Sequence, residues 1–368
     1  MAVRVADGGS GARLGRVVCC LLLVSLMIGD RAAFAEETIS FVDQNGRTVT
    51  LAQPATRVVT IPKPAPSMFV AVDGASSKLV GMHPESKTAL LEGILGRFFP
   101  EMKDIPTDIV GEGFLPNVEE LLRVDPDIVF QWGMSERMFQ PLEAAGLTVA
   151  ALQYDGARDL TVGWLTMMGE SIGKEEKVVR LVEWRDGVRR EIEDRVAQIP
   201  AEERPSVLYF YNYLTQYQVQ ELFNMVLLGA VNPAREGDFD WRSKTVNAEQ
   251  IIAWDPDIIL LNGFEEKLSP EDVYREPVFA DLSAVKNRRV YKFPLGGYRW
   301  DPASHESPFA WMWLSMILYP DKFDWPLRSV LAEKYVEIYD HSLSEDEIDG
   351  ILRMPMNGDA AYYEQFKG

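Results

Sequence analysis

From residue 36 onward the apolar positions change period along the chain, and each change predicts an element. Residues 36–53, EETISFVDQNGRTVTLAQ, alternate apolar and polar about Asn45-Gly46, which predicts a β-hairpin closed by a tight turn. Val58, Val59 and Ile61 then form a short buried strand stopped by Pro62. A Pro-rich loop leads into a helix near Ser67 to Val72, and SKLVGMH gives a second strand ending near His83. MFQPLEAAGLTVAALQYD reads as helix, glycine turn and strand. Between about 157 and 199 the period becomes helical. Val178, Leu181, Val182, Val188, Ile192 and Val196 fall on one stripe, predicting a long helix that Gly187 weakens without ending. SVLYFYNY restarts the strand-helix-strand alternation, RRVYKFP is a late strand, and the last 60 residues are largely helical.

One unit occurs twice. NVEELLRVDPDIVF at 117–130 and NAEQIIAWDPDIIL at 247–260 align without a gap. In each, an Asn is the predicted helix cap, with Glu120 or Gln250 three residues on as the partner of a capping box. Proline disfavours helical geometry in the residue before it, so Asp-Pro ends each helix. The apolar run that follows has the continuous character of a strand buried in a parallel sheet. The repetition is therefore architectural: each half carries the same helix-turn-strand unit. The chain reads as an N-terminal α/β lobe (36–156), a helical region (157–199), a C-terminal α/β lobe (200–315) and a helical segment (316–368). There is no Gly/Ser-rich linker, which predicts stiffly joined lobes.

The first 35 residues change the setting. Arg4, Arg13 and Arg16 precede the apolar run Val17 to Ile28, and Ala33-Phe34-Ala35 follows as a cleavage site. This is the pattern of a secretory signal peptide cut after Ala35, and the run falls short of the roughly 20 residues that span a membrane. Both cysteines, Cys19 and Cys20, lie within it, so the mature chain is expected to lack disulfides and thiolate chemistry. Losing four Arg and two Asp takes the net charge from −19 to −21. So acidic a chain argues against nucleic-acid binding through phosphates.

The 368 residues contain no phosphate-binding glycine loop, nucleophile elbow or HExxH motif. Only three histidines are present: His83, His305 and His341. A bare transition-metal site ordinarily draws on more imidazoles than that. An exported, two-lobed chain without a catalytic constellation is expected to bind rather than to turn over.

Signal peptide, hairpin, TRVVTI, the repeated unit, the long charged helix and AVKNRRVYKFP, in that order, resemble the periplasmic solute-binding proteins of ABC importers. More narrowly, they resemble the group handling ferric siderophores, haem, cobalamin and some oxyanions. SHESPFAWMWLSMILYPDKF is similar to the Ser-Pro…Trp-Leu…Leu-Tyr-Pro segment of its iron-complex and molybdate-type members. The resemblance spans residues 38–340. It implies an α/β fold of two lobes with mainly parallel sheets, bridged by one long rigid helix at about 174–198, with ligand held between the lobes. It also implies a monomer in the periplasm, without an intrinsic cofactor, delivering its ligand to an inner-membrane permease. Members present one acidic residue per lobe to the permease. Glu136 and Glu266, separated by the same 130 residues as the repeat, match, with Glu265 a near substitute.

Ligands in such folds meet the loops at the carboxyl ends of parallel strands. That nominates Lys63, His83 and Tyr213, each following a strand, with Tyr209 and Tyr211 expected to be packed. It also nominates the loops before the capping asparagines, where Trp241 and Arg242 stand out, and the segment GGYRWDPASHESP, with Tyr298, Arg299, Trp300 and His305. Arg can bind carboxylate or oxyanion bidentately, and Tyr298 and His305 are the candidates for touching a metal. The aromatic residues favour a ferric chelate, siderophore or haem-like, over an oxyanion such as molybdate. An exported metallochaperone or enzyme using His83, His305 and nearby carboxylates is the reading from another class.

Overall fold

A computed structural model describes residues 38–155, 159–235 and 242–368. The signal-peptide segment and Trp241 lie outside them. The N-terminal lobe runs β1 (Ile39–Val42), β2 (Thr48–Leu51), β3 (Val58–Thr60), α1 (Ala65–Asp73), β4 (Leu79–Met82), α2 (Pro84–Glu92), α3 (Leu95–Phe98), α4 (Val118–Val124), β5 (Ile128–Trp132), α5 (Glu136–Ala144) and β6 (Val149–Leu152). Then come α6 (Thr161–Ile172) and α7 (Glu175–Val196). The second lobe holds β7 (Val207–Asn212), β8 (Gln218–Gln220), α8 (Phe223–Leu227), β9 (Lys244–Thr245), α9 (Ala248–Trp254), β10 (Ile258–Leu261), α10 (Pro270–Tyr274), α11 (Ser283–Lys286) and β11 (Val290–Lys292). The helices α12 (Ser307–Leu318), α13 (Leu327–Tyr339), α14 (Glu345–Ile351) and α15 (Met354–Asn357) complete the chain.

Two central sheets organise this order. The first, β4-β3-β5-β6, is parallel throughout. The second, β11-β10-β7-β8-β9, is parallel only across β7, β10 and β11. Its β8 and β9 join antiparallel, where the sequence pattern gave only helix and strand. Three- and two-residue strands are too short to establish a period, so they escape such a reading. The β1–β2 hairpin turns through Gly46 at a φ of 75°, as the Asn-Gly signal predicts.

Helix α7 packs on α6, which lies against α1 and β1 of the first lobe, and on α12 of the second. Val178, Leu181, Val188, Ile192 and Val196 are buried along it, as the stripe predicts. Arg185 is buried among them, paired with Asp159 and lying 4.9 Å over the Trp311 ring. No periodicity argument anticipates a buried arginine. Gly187 has open space where a side chain would stand.

The repeated unit folds alike in both lobes but not for all the expected reasons. Asn247 and Gln250 form the full capping box, with bonds of 2.8 and 3.0 Å. Asn117 starts α4 without capping it: its amide donates instead to the Asp108 carbonyl, and Glu120 pairs with Arg123. Asp125 and Asp255 end their helices in left-handed geometry, at φ 44° and 40°, rather than in the extended form expected before proline. The second aspartate of each Asp-Pro-Asp ties down the start of a neighbouring strand. Asp127 Oδ2 accepts the amides of Thr56 and Arg57 before β3, and Asp257 Oδ2 accepts that of Ser206 before β7.

Candidate functional site

Because β3, β5 and β6 run in one direction, their following loops gather at one edge of the first sheet; β7, β10 and β11 do the same in the second. These loops line a cavity of about 460 Å³. From the first lobe come Lys63 after β3, Phe114 from the loop before α4, Trp132 ending β5, and Tyr154 after β6. The second lobe contributes Tyr209 and Tyr211 of β7, Phe264 after β10, and Tyr298 and Asp301 after β11. Trp164 of α6 and Arg242 before β9 complete the principal lining.

The first-lobe wall is an aromatic stack. Trp132 meets Trp164 at 5.3 Å, Phe114 at 5.8 Å and Tyr154 at 6.2 Å between ring centres, each steeply inclined. Trp164 is fixed by a 3.1 Å bond from Nε1 to the Gln153 carbonyl. The Lys63 ammonium sits 5.6 Å from the Phe114 ring and 6.0 Å from the Phe264 ring, one from each lobe, and pairs with Glu85 at 2.5 Å. On the second lobe, Asp301 Oδ2 accepts 2.7 Å and 3.0 Å bonds from the Tyr209 hydroxyl and the Gly263 amide. Burial, then the Asp301 carboxylate, push the Tyr209 phenol far above its ordinary range.

Of the residues nominated by sequence, Lys63, Arg242 and Tyr298 line the cavity. The other described ones are placed elsewhere. His83 is buried behind Phe114, 5.0 Å between ring centres; its Nδ1 caps α2 by accepting the Glu85 amide at 3.1 Å. Burial lowers its pKa. Tyr213 packs in the second-lobe core against Phe210 and Tyr217, while Tyr209, packed as expected, and Tyr211, exposed, lie on the cavity side. The register shift after Phe210 explains the exchange, since the strand ends before its alternation reaches Tyr213.

Arg299 is buried, donating to the Gly263 carbonyl at 2.6 Å and standing 3.6 Å from Glu92 of the first lobe. Trp300 stacks on Phe309 at 5.8 Å and donates Nε1 to Glu306 at 3.0 Å. His305 is fully enclosed, its Nε2 bonded to the Tyr339 hydroxyl, and burial takes its pKa down to about 3. Among the described residues no three His, Cys, Asp or Glu side chains gather to hold a metal ion.

The acidic pair is asymmetric. Glu136 is exposed in the first turn of α5, where it accepts a 3.0 Å bond from the Gln140 side chain. Glu266 is clasped by both terminal nitrogens of Arg353, at 2.6 and 2.8 Å. The Glu265 carboxylate accepts the amides of Tyr213 and Leu214 and the Asn262 side chain.

Sequence reasoning passed over Trp132, Tyr154, Trp164, Phe264 and Asp301. Trp132 was within reach, since it closes an apolar strand of the repeated unit. Trp164 carries no such mark, being one apolar residue among many on a helix.

Two α/β lobes joined by a long helix, with an aromatic cavity where their loops meet, define a ligand-binding protein. The family model described as periplasmic binding protein matches residues 109–294, half of the chain, and the chain belongs to that family. It is similar to the Fe(3+)-citrate-binding protein YfmC of Bacillus subtilis (strain 168), 23% identical over 258 residues, covering 68% of this chain and 76% of that one. A periplasmic solute-binding protein of Veillonella parvula superposes with a TM-score of 0.79 at 27% identity, over 88% of this chain and 99% of that one. The molybdate-binding MolA of Haemophilus influenzae superposes at 0.70 and 22%, over 83% and 99%, a likeness of fold. Among the described residues no helix is long and apolar enough to cross a membrane.

Proposed function

We propose that this chain is the periplasmic substrate-binding component of an ABC importer, capturing a ferric chelate between its lobes and delivering it to the inner-membrane permease. It does so after export and removal of its signal peptide, without a resident cofactor and without catalysing a reaction. The observation that carries this reading is the aromatic-walled cavity of about 460 Å³. Small-molecule sites occupy about 300–1,000 Å³ and are mostly apolar with a few placed polar groups. A tetrahedral oxyanion would leave most of that space empty, and Asp155, Glu221 and Asp301 in the lining would repel it. The Fe(3+)-citrate-binding relative points the same way. Glu136 is the proposed docking residue of the first lobe, and Glu266, with its Arg353 clasp, that of the second.

The test is to purify the mature protein from its native periplasm and identify what it retains by mass spectrometry and metal analysis. Stoichiometric iron with an organic chelator is expected. A stoichiometric oxyanion, or a transition metal without an organic partner, would overturn the reading.

A further inference from the structure

Eleven buried side-chain polar atoms lack a hydrogen-bond partner among the described residues, and four of them belong to side chains lining the one cavity described above. They are Trp132 Nε1 on the first lobe and Glu221 Oε2, Tyr298 Oη and Asp301 Oδ1 on the second. An unpaired buried polar group costs free energy that a folded chain normally avoids, so its clustering at a cavity points to a partner that arrives with the ligand. The four are not alike. Trp132 Nε1 can only donate, whereas the carboxylate oxygens of Asp301 and Glu221 can only accept when ionised. The second-lobe side of the cavity therefore asks for a donor.

Asp301 is the most constrained of the set. It is 2% exposed, and its other oxygen already receives Tyr209 and Gly263. Gly263 has to be glycine for this contact, because a Cβ there would lie 2.8 Å from Oδ1. The carboxylate is thus held in place by bonds that leave Oδ1 uncommitted.

Resting on the cleft being the ligand site, we infer that the bound molecule carries a hydrogen-bond donor on its outer surface, an ammonium or hydroxyl or amide N–H group, received by Asp301 Oδ1 beside Tyr298. An anion offering only acceptor oxygens meets a buried carboxylate there and is disfavoured. The specificity of this cleft then differs from that of a site built for a chelate with a carboxylate periphery.

Three ferric probes separate the outcomes, each followed by quenching of tryptophan fluorescence, to which Trp132 and Trp164 contribute from the cavity wall. The first is a linear ferric trishydroxamate ending in a free ammonium group. The second is the same chelate N-acetylated at that terminus, and the third is ferric dicitrate, whose periphery at neutral pH is carboxylate oxygen. Wild type is expected to bind one or both hydroxamates at least about tenfold more tightly than dicitrate. The ammonium form leading identifies a cationic donor; equality of the two identifies a neutral one. Asp301→Asn, which keeps an oxygen for Tyr209 and Gly263, is expected to weaken the preferred hydroxamate about tenfold or more and to leave dicitrate unchanged or tighter. Tyr298→Phe removes a hydroxyl without a partner, so it is expected to keep the midpoint of unfolding while weakening the same probe severalfold.

Tighter binding of dicitrate by wild type, or an equal loss of all probes in Asp301→Asn, overturns the inference. Identification of the molecule on the native protein separates the two readings. A metal-free molecule with N–H or O–H groups sinks the ferric reading and keeps this one. A ferric complex without any such group does the reverse. Binding of no probe, with no donor-bearing molecule on the native protein, overturns both.

Discussion

Glu306 has no exposure to solvent and is the hub of the segment that carries Tyr298 and Asp301 into the cleft. Its carboxylate accepts the Gly297 amide at 3.0 Å from both oxygens, Trp300 Nε1 at 3.0 Å, and the hydroxyls of Tyr335 and Tyr339 at 2.7 and 3.1 Å. Truncation by Glu306→Ala strands these donors unequally. The tyrosine hydroxyls can rotate, and Tyr339 already has His305 beside it. The Gly297 amide keeps the Tyr335 hydroxyl at 3.2 Å, but the Trp300 indole cannot turn away, and a stranded donor costs about 1–3 kcal/mol. With the void left by the lost side chain, we expect Glu306→Ala to cost about 3–6 kcal/mol. Glu306→Gln should cost only about 1 kcal/mol. Its oxygen can serve Trp300 and Gly297 while its amide donates to the rotated tyrosines, and it no longer buries a charge. Equilibrium urea unfolding at pH 7, comparing midpoints at constant slope, measures both. The alanine variant should also bind ligand more weakly, since the loop bearing Asp301 loses its anchor. An alanine cost below about 1 kcal/mol, or equal costs for the two variants, would refute the hub argument.

Two further outcomes follow from groups the sequence reading had assigned to function. His305 has its pKa lowered from 6.5 to about 3, by burial first and by the nearby Lys177 charge second. A depressed value means the stabilisation is present above about 6.5 and is lost as pH falls toward 3. Wild type should therefore lose stability across that window more steeply than His305→Phe, by up to several kcal/mol, in parallel urea titrations. Parallel curves would show that the imidazole is not held neutral by burial. Glu136→Ala should leave the unfolding midpoint unchanged, whereas Glu266→Ala leaves buried Arg353 unpaired and should cost about 1–3 kcal/mol. Both variants should keep ligand affinity and lower transport; loss of ligand binding in Glu136→Ala would remove that residue from permease docking.

Local information decided a good deal here. The hairpin about Asn45-Gly46, the buried strands, the α7 stripe and the duplicated helix-turn-strand unit each depend on a turn residue or on a period repeated over enough residues to be read. The resemblance supplied the two-lobed plan, because order and spacing of motifs survive where individual residues vary. Which side chains reach the ligand is another matter. Lys63, Arg242 and Tyr298 line the cavity, while His83, Tyr213, Arg299, Trp300 and His305 were equally plausible in the sequence and turned inward. A loop position specifies only that a residue is near the carboxyl end of a strand. Whether its side chain points to ligand or to core depends on a register shift after Phe210, on Glu306 capturing Trp300, and on Tyr339 capturing His305. Trp164 and Asp301 lie 137 positions apart and line one cavity only because α7 packs on both α6 and α12. Composition and period could fix the elements, since those are local; the cleft is a property of distant segments brought side by side, and tertiary packing alone selected its walls.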